Sequence, residues 1–293
     1  MAAPGVEPRT LGESKIFKFQ LFLFSIKEYD KFKFNVDSLK EEERFALLFG
    51  ILLGDGCLSC YPCKNRKNKT RVILITGNKI DDKPFFEKVL IPLLKSLIKN
   101  SVKIKERIDQ NIIDIPFFDK GLFNKLSLLG FLIGKKGASL FVPKDIYDKD
   151  LLRYVTQGFM ATDGSLVLTK NPNKYYPRIE GNGISPILIR QITDYLIGIG
   201  MNGYFYEAKR NFNKVKWRVV QQQFRFQFNG LSNVLLFEEK IGFINPKHRM
   251  KFLRFLEYSK EYDSKIRGIS SKKQKRTGEN VNEIYYPSGS GGN

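Results

Sequence analysis

Apolar residues recur at helical spacing from Glu41 to Leu53, and the pattern predicts a helix that stops at Gly54-Asp55-Gly56. Short apolar segments near Cys57–Cys63 and Arg71–Thr76 then read as strands, followed by a helix over Asp82–Lys99. Strands are expected at Val102–Ile108 and Ile112–Phe117, and a helix around Gly121–Leu129. The same order then returns. A helix over Lys149–Ala161 stops at Thr162-Asp163-Gly164, strands lie near Ser165–Thr169 and Tyr176–Ile179, and a helix covers Pro186–Ile199. Strands at Gly203–Lys209 and Lys216–Asn229 precede helices Leu231–Lys240 and Pro246–Ser259.

The repeat is visible in residues as well as in element order. Thr76-Gly77-Asn78 is answered by Glu180-Gly181-Asn182, each at the end of a strand and before a long helix. Leu129-Gly130-Phe131 with Lys135 is answered by Ile241-Gly242-Phe243 with Lys247. Asp55 to Lys135 spans 80 residues and Asp163 to Lys247 spans 84, so the two halves run nearly in step. Two copies make a duplicated α+β domain pair, each half ordered αββαββα, and not a solenoid. The expected division is an N-terminal extension at 1–40, halves at 41–147 and 148–264, and a basic tail at 265–293 without apolar periodicity.

The helices that end each half's first segment share a special surface. Ala46, Gly50 and Gly54 fall at i, i+4 and i+8, and Gly158 and Thr162 hold equivalent places in the second half. Rows without bulky side chains let two backbones approach closely. If the two helices pack in parallel about an approximate two-fold axis, their ends bring Asp55 and Asp163 together, with Gly56 and Gly164 suited to the sharp exit there. Two carboxylates so placed repel unless a cation lies between them. Asp oxygens with the backbone carbonyls of Gly54 and Thr162 are hard ligands that suit Mg2+, with Mn2+ or Ca2+ as substitutes in binding. Metals in such a place can serve phosphodiester hydrolysis.

Composition strengthens this direction. In 293 residues, 50 Lys and Arg stand against 30 Asp and Glu, a formal net charge of +20, which suits a partner rich in phosphate. No stretch is apolar enough for a membrane span and no secretory signal is apparent, so an intracellular protein without a membrane partner is expected. Cys57, Cys60 and Cys63 have metal-like spacing but no fourth ligand nearby, and they read instead as small residues of a strand. A single histidine, His248, leaves little room for a histidine-based triad or a zinc hydrolase. Period-two alternation in QQQFRFQFN puts Gln223, Arg225, Gln227 and Asn229 opposite three phenylalanines, and Lys103, Lys105 and Arg107 alternate with apolar residues in the same way. These residues, with Arg71 and Arg218, are the candidates for contact with DNA, where Arg and Gln match purine edges in the major groove.

LFGILLGDG (Leu48–Gly56) and TQGFMATDG (Thr156–Gly164) resemble the two signature motifs of LAGLIDADG homing endonucleases in their single-chain form, and the resemblance covers roughly residues 41 to 260. It implies two αββαββα halves with saddle-shaped antiparallel sheets, a monomer bound to a long non-palindromic site in double-stranded DNA, and metal-dependent cutting of both strands. Asp55 and Asp163 match the acids that hold the metals. Thr76, Asn78, Lys79, Glu180 and Asn182 lie where the family places polar side chains that position water, although a common glutamine is absent. Leu140 takes the place of a frequent lysine, so Lys135 or Lys136, with Lys247 as repeat partner, are the lysines expected to assist catalysis. Inteins share this domain, but splicing chemistry finds too few histidines here. An RNA maturase or a non-cleaving regulator on the same fold is the alternative reading. Target sequence, organism and an intron origin are not readable.

Overall fold

The structure is a computed structural model that describes residues 32–62, 69–107, 110–171, 174–208 and 222–259. The first half runs α1 (Glu41–Asp55), β1 (Gly56–Tyr61), β2 (Thr70–Asn78), a helix α2 over 83–97 with a π-helical stretch at Phe86–Leu90, β3 (Lys105–Glu106), β4 (Ile112–Phe117) and α3 (Lys120–Leu128). After a short helix α4 (Lys144–Asp148) the second half runs α5 (Leu152–Thr162), β5 (Gly164–Asn171), β6 (Lys174–Gly183), α6 (Pro186–Gly198), β7 (Gly203–Glu207), β8 (Phe224–Asn229) and α7 (Leu231–Lys240). A last helix, α8, occupies 246–259. Each half is thus αββαββα, with a four-stranded antiparallel sheet in the order β1-β2-β4-β3 or β5-β6-β8-β7.

Every residue of α1 from Phe45 to Gly54 is buried, as befits a helix apolar on all sides. Its main neighbour is α5, and no other pair of elements is in such extensive contact. The glycines make this possible. A Cβ on Gly50 would run into the carbonyl of Val155, and one on Gly158 into the carbonyl of Leu47. Around this pair, Ile73, Ile75, Ile113, Ile115 and Phe117 of one sheet and Leu166, Ile179, Phe226 and Phe228 of the other face inward, joined in one apolar cluster.

The strand expected near Tyr176–Ile179 is longer, Lys174–Gly183, and three other elements differ in extent for visible reasons. Of the strand expected over Val102–Ile108, Ile108 lies outside the described residues and the ladder covers Lys105–Glu106, because two positions on Lys103 would face Pro116, which has no N–H to give. The helix expected from Lys149 begins at Leu152, since Asp150 takes φ 54° and interrupts the chain after α4. The strand expected over Lys216–Asn229 is described only from residue 222, and its ladder covers Phe224–Asn229. Gly56 is also different from expectation: its φ of −87° and ψ of 157° are extended and open to any residue. What requires glycine there is space, because a Cβ would meet the Leu52 backbone at 2.5 Å.

Gly158→Ala should therefore lower the stability measured by urea denaturation by about 2 kcal/mol, the cost of overpacking a contact that cannot yield. Gly198→Ala, where an added Cβ meets nothing within 4 Å, should instead leave stability unchanged or raise it by about 0.5 kcal/mol. Equal effects of the two substitutions would mean that the α1–α5 backbones are not in contact.

Candidate metal centre and nucleic-acid face

The C-terminal turns of α1 and α5 lie against one another. A Cβ on Gly54 would touch the Thr162 side chain and come within 3.3 Å of the Asp163 N. Asp55 closes α1 and Asp163 caps α5, so the helix contact delivers both carboxyls to one place. Extending the strand registers by one step sets Thr76 opposite Asp55 and Asn182 opposite Asp163, and the Asn182 N donates to the Asp163 O at 3.4 Å. Burial, then the nearby Asp163 and Asp82, push the Asp55 carboxyl up to about 7, against the pull of Lys136 and Lys247. Burial also raises Asp163, opposed by Lys136. Helix C-termini carry partial negative charge of their own, which adds to the cost of two acids there.

Lys136 is the cation that reaches this centre. Its Nζ donates to the Leu53 O at 3.1 Å, to the Leu52 O at 3.4 Å and to the Gly54 O. Burial lowers its pKa, while Asp163 and then Asp55 counter that effect. Lys135, the lysine that matches Lys247 in the repeat, is exposed instead. Lys247 projects from α8 toward the same region, where its Nζ meets the Asp82 Oδ1 at 2.6 Å.

The donor set fits a hard divalent cation: two desolvated carboxylates with main-chain carbonyls beside them, in the place where a lysine now satisfies those carbonyls. Among the described residues no group of three or more His, Cys, Asp or Glu could hold a metal by itself. Water and a ligand's oxygens must therefore complete any coordination sphere here. Thr162 offers its backbone carbonyl, its hydroxyl being spent on the Phe159 O at 3.0 Å. The cysteines do not compete, because Cys57 and Cys60 stand three apart on β1 and so point to opposite faces, and Cys63 lies outside the described residues. His248 is 2% exposed, and burial followed by Lys247 and Lys251 brings its pKa down to about 3, a core residue and not a ligand.

Each sheet turns its second face away from the core. On the first, Thr76 donates to the Asp114 Oδ1 at 2.7 Å and the Arg107 Nε to the Asp114 Oδ2 at 2.7 Å, so Arg107 is held on that face while Lys103 and Lys105 are exposed. Arg71 does not join them: its strand partner is Cys60, which packs on the core side. On the second sheet, Arg225, Gln227 and Asn229 share the open face with Gln223, and the Gln227 Nε2 donates to the Asn229 Oδ1 at 2.9 Å. Register adds Arg178, Tyr204 and Tyr206 to this face, which the alternation of one strand alone did not reveal. The Arg178 Nε lies 2.9 Å from the Glu180 Oε2 without aiming its hydrogen at it, and the buried Arg225 Nε has no hydrogen-bond partner. Arg218 lies outside the described residues. Asn78 is occupied locally, its Oδ1 accepting from the N–H groups of Ile80 (2.8 Å) and Asp81 (3.0 Å). Asn182 is exposed beside Asp163. Lys79 is bound to Glu106 at 2.8 Å, away from the carboxylate pair. Asp82 was missed by sequence reasoning, since an Asp before a helix reads as a cap.

No helix among the described residues is long and apolar enough to cross a membrane. No family model matches the chain, and no curated protein matches it. Among solved structures, the chain is similar to the homing endonuclease I-DmoI in complex with DNA and Ca, at 13% identity over 69% of this chain and 91% of that one, with a TM-score of 0.49. It is also similar to the LAGLIDADG meganuclease I-AabMI bound to uncleaved DNA, at 15% identity over 82% of this chain and 99% of that one, with a TM-score of 0.47. Likenesses this distant carry no residue's role across to the present chain.

With a folded value above its ordinary 3.8, Asp55 lends stability that is full below about pH 4 and is lost as the pH rises through about 7. Metal-free Asp55→Asn should therefore melt above the parent at pH 8, by a margin equivalent to about 2 kcal/mol after allowance for solvent reaching a partly exposed group. The margin should vanish near pH 4. Identical melting at both pH values would show that the carboxyl is not desolvated.

Proposed function

We propose that the chain is a single-chain LAGLIDADG homing endonuclease, a site-specific and divalent-metal-dependent enzyme that cuts both strands of a long, non-palindromic DNA site. The observation that carries this reading is the meeting of Asp55 and Asp163 at the touching ends of α1 and α5, flanked by two sheets with open polar faces. A pair of half-buried carboxylates at two helix C-termini costs stability and has no structural use, whereas a phosphodiester with its cations fits the place well. The two motifs, Leu48–Gly56 and Thr156–Gly164, support the family assignment.

Asp55 and Asp163 would hold the cations, with the carbonyls of Gly54 and Thr162 as further hard ligands. When bound there, Mg2+ supplies charge neutralisation and an acidified water. The net reaction adds water across a phosphodiester, leaving one end with a hydroxyl and the other with a phosphate. Lys136, close to both carboxylates, places positive charge where the phosphate would sit, and Asn182, Glu180 and Thr76 are the polar groups that remain to orient water. Lys103, Lys105 and Arg107 of the first sheet, with Arg178, Arg225, Gln227 and Asn229 of the second, would face the DNA grooves, where Arg and Gln match guanine and adenine edges. Because unlike halves of one chain supply both carboxylates, a monomer suffices and the site need not be palindromic.

The test is selection of cleaved sequences from a random duplex library in Mg2+, with EDTA as the control. A defined double-strand break that EDTA abolishes is expected, and Asp55→Asn or Asp163→Asn should each slow cleavage at least about a hundredfold while leaving DNA binding in place. Sequence-specific binding without cutting would replace this reading with a DNA-binding regulator. Assisted splicing of an intron RNA without DNA cutting would replace it with a maturase.

A further inference from the structure

The repeat allows the surroundings of the two acids to be matched position by position, and one position differs sharply. Asp82 is the residue that precedes α2, whereas the residue that precedes α6 is Ser185, followed by Pro186. Asp82 is fixed at both oxygens: Oδ2 accepts from the Asn78 N at 2.9 Å and Oδ1 from the Lys247 Nζ at 2.6 Å. The two side chains are 14% and 28% exposed, so this ion pair is shielded more than the surface pairs of Lys79 and Lys149. It also crosses between the halves. Asp82 belongs to the turn after β2, while Lys247 sits in the first turn of α8, anchored by its own N–H to the Asn245 Oδ1 at 3.0 Å. Asn245 in turn donates to the Ala161 O of α5 at 2.7 Å.

Both members of the pair act electrostatically on Asp55, which also feels Lys136 and Asp163, whereas Lys136 is the lysine that acts on Asp163. Among the described residues Lys136 has no carboxylate at hydrogen-bonding distance, and it spends its donors on the carbonyls at the end of α1. Asp55 is thus served by two lysines, one held on main-chain oxygens and a second held from the side by a carboxylate, whereas Asp163 shares only the first of them.

We propose that Asp82 is a positioning residue that fixes Lys247 beside Asp55, so that the two strands of the duplex are cut by chemically unlike centres. This rests on the nuclease reading above. An ammonium group has three donors on a flexible stem. Asp82 engages one of them and sets the direction of the stem, leaving two to meet the oxygens of a phosphate at the Asp55 side. Ser185, uncharged and with its hydroxyl donating to the Leu140 O at 2.5 Å, can do nothing of the kind for a lysine at the Asp163 side.

The experiment follows each strand separately, with the full chain, Mg2+ and a selected duplex labelled differently on its two strands. The parent should cut the strands at unequal rates. Asp82→Asn keeps an oxygen for the Asn78 N but cannot pair with Lys247 as a charge, and it should slow one strand about tenfold, chiefly in kcat, while the other stays within about twofold. Asp82→Glu should restore part of the lost rate, and Lys247→Met should slow the same strand with no further loss when combined with Asp82→Asn. Equal slowing of both strands, which a general structural role predicts, overturns the proposal. So does an unchanged or faster rate on both strands in Asp82→Asn, or a full additional loss in the double variant. A parent that cuts neither strand of any sequence overturns the nuclease reading itself, an outcome distinct from a cutting parent whose strand ratio ignores Asp82.

Discussion

The close approach of α1 to α5 is the constraint on which the rest of the molecule depends. Gly50 lies on the Val155 carbonyl and Gly158 on the Leu47 carbonyl, so at the crossing there is backbone against backbone with no side chain between. Packing that tight has little freedom to slide or rotate, because each glycine is seated against a rigid peptide unit. The position of the helix ends is therefore fixed by sterics tens of atoms away from them. The two sheets then fan out from the same pair of helices, which fixes where their open faces stand relative to the carboxylates.

This arrangement sets stability against chemistry. Asp55 and Asp163 meet where water is scarce, at two helix termini that already bear partial negative charge, and each carboxyl is driven toward its neutral form. A core designed for stability alone would place apolar groups there. Lys136 offsets part of the cost by lying on the terminal carbonyls, and Lys247 contributes from the second half although its own charge is shared with Asp82. The centre is thus held in a state that any cation entering with a polyanion would relieve, which couples occupancy of the site to stability of the fold.

Much of this was legible in the chain because the duplication prints each element twice. The α1 and α5 segments, the two acids, and the alternation of Phe224, Phe226 and Phe228 against Arg225, Gln227 and Asn229 follow from periodicities of 3.6 and 2. What escaped has physical reasons. In Val72-Ile73-Leu74-Ile75 both parities are apolar, so nothing in the sequence says that Arg71 falls on the core side. The segment between α3 and α4 has no periodicity, so the choice between Lys135 and Lys136 is made by the path of the chain from Gly134, whose N–H is bound to the Leu58 O at 2.6 Å. Asp82 was hidden by its resemblance to an ordinary cap, since its partner lies 165 residues away.

On the proposed nuclease reading, the open faces would let a chain with a formal net charge of +20 discriminate among sequences. Bare lysines bind any phosphate, and binding of that kind is strong at low salt and indifferent to base. Here Arg107 is not bare, although Arg178 and Arg225 make no such bond through Nε among the described residues. Asp114 takes the Nε of Arg107 and is itself fixed by Thr76, while Glu180 stands beside Arg178. A guanidinium restrained through its Nε edge keeps its outer N–H groups in a set plane, the geometry that the two acceptors of a guanine require. The same carboxylates repel phosphate, so they weaken non-specific attraction at the very positions where they sharpen direction. Sheet acids in a strongly basic protein are therefore consistent with selective binding: they would trade part of the bulk attraction for orientation, as the half-buried acids at the helix ends would trade stability for a place to hold a cation.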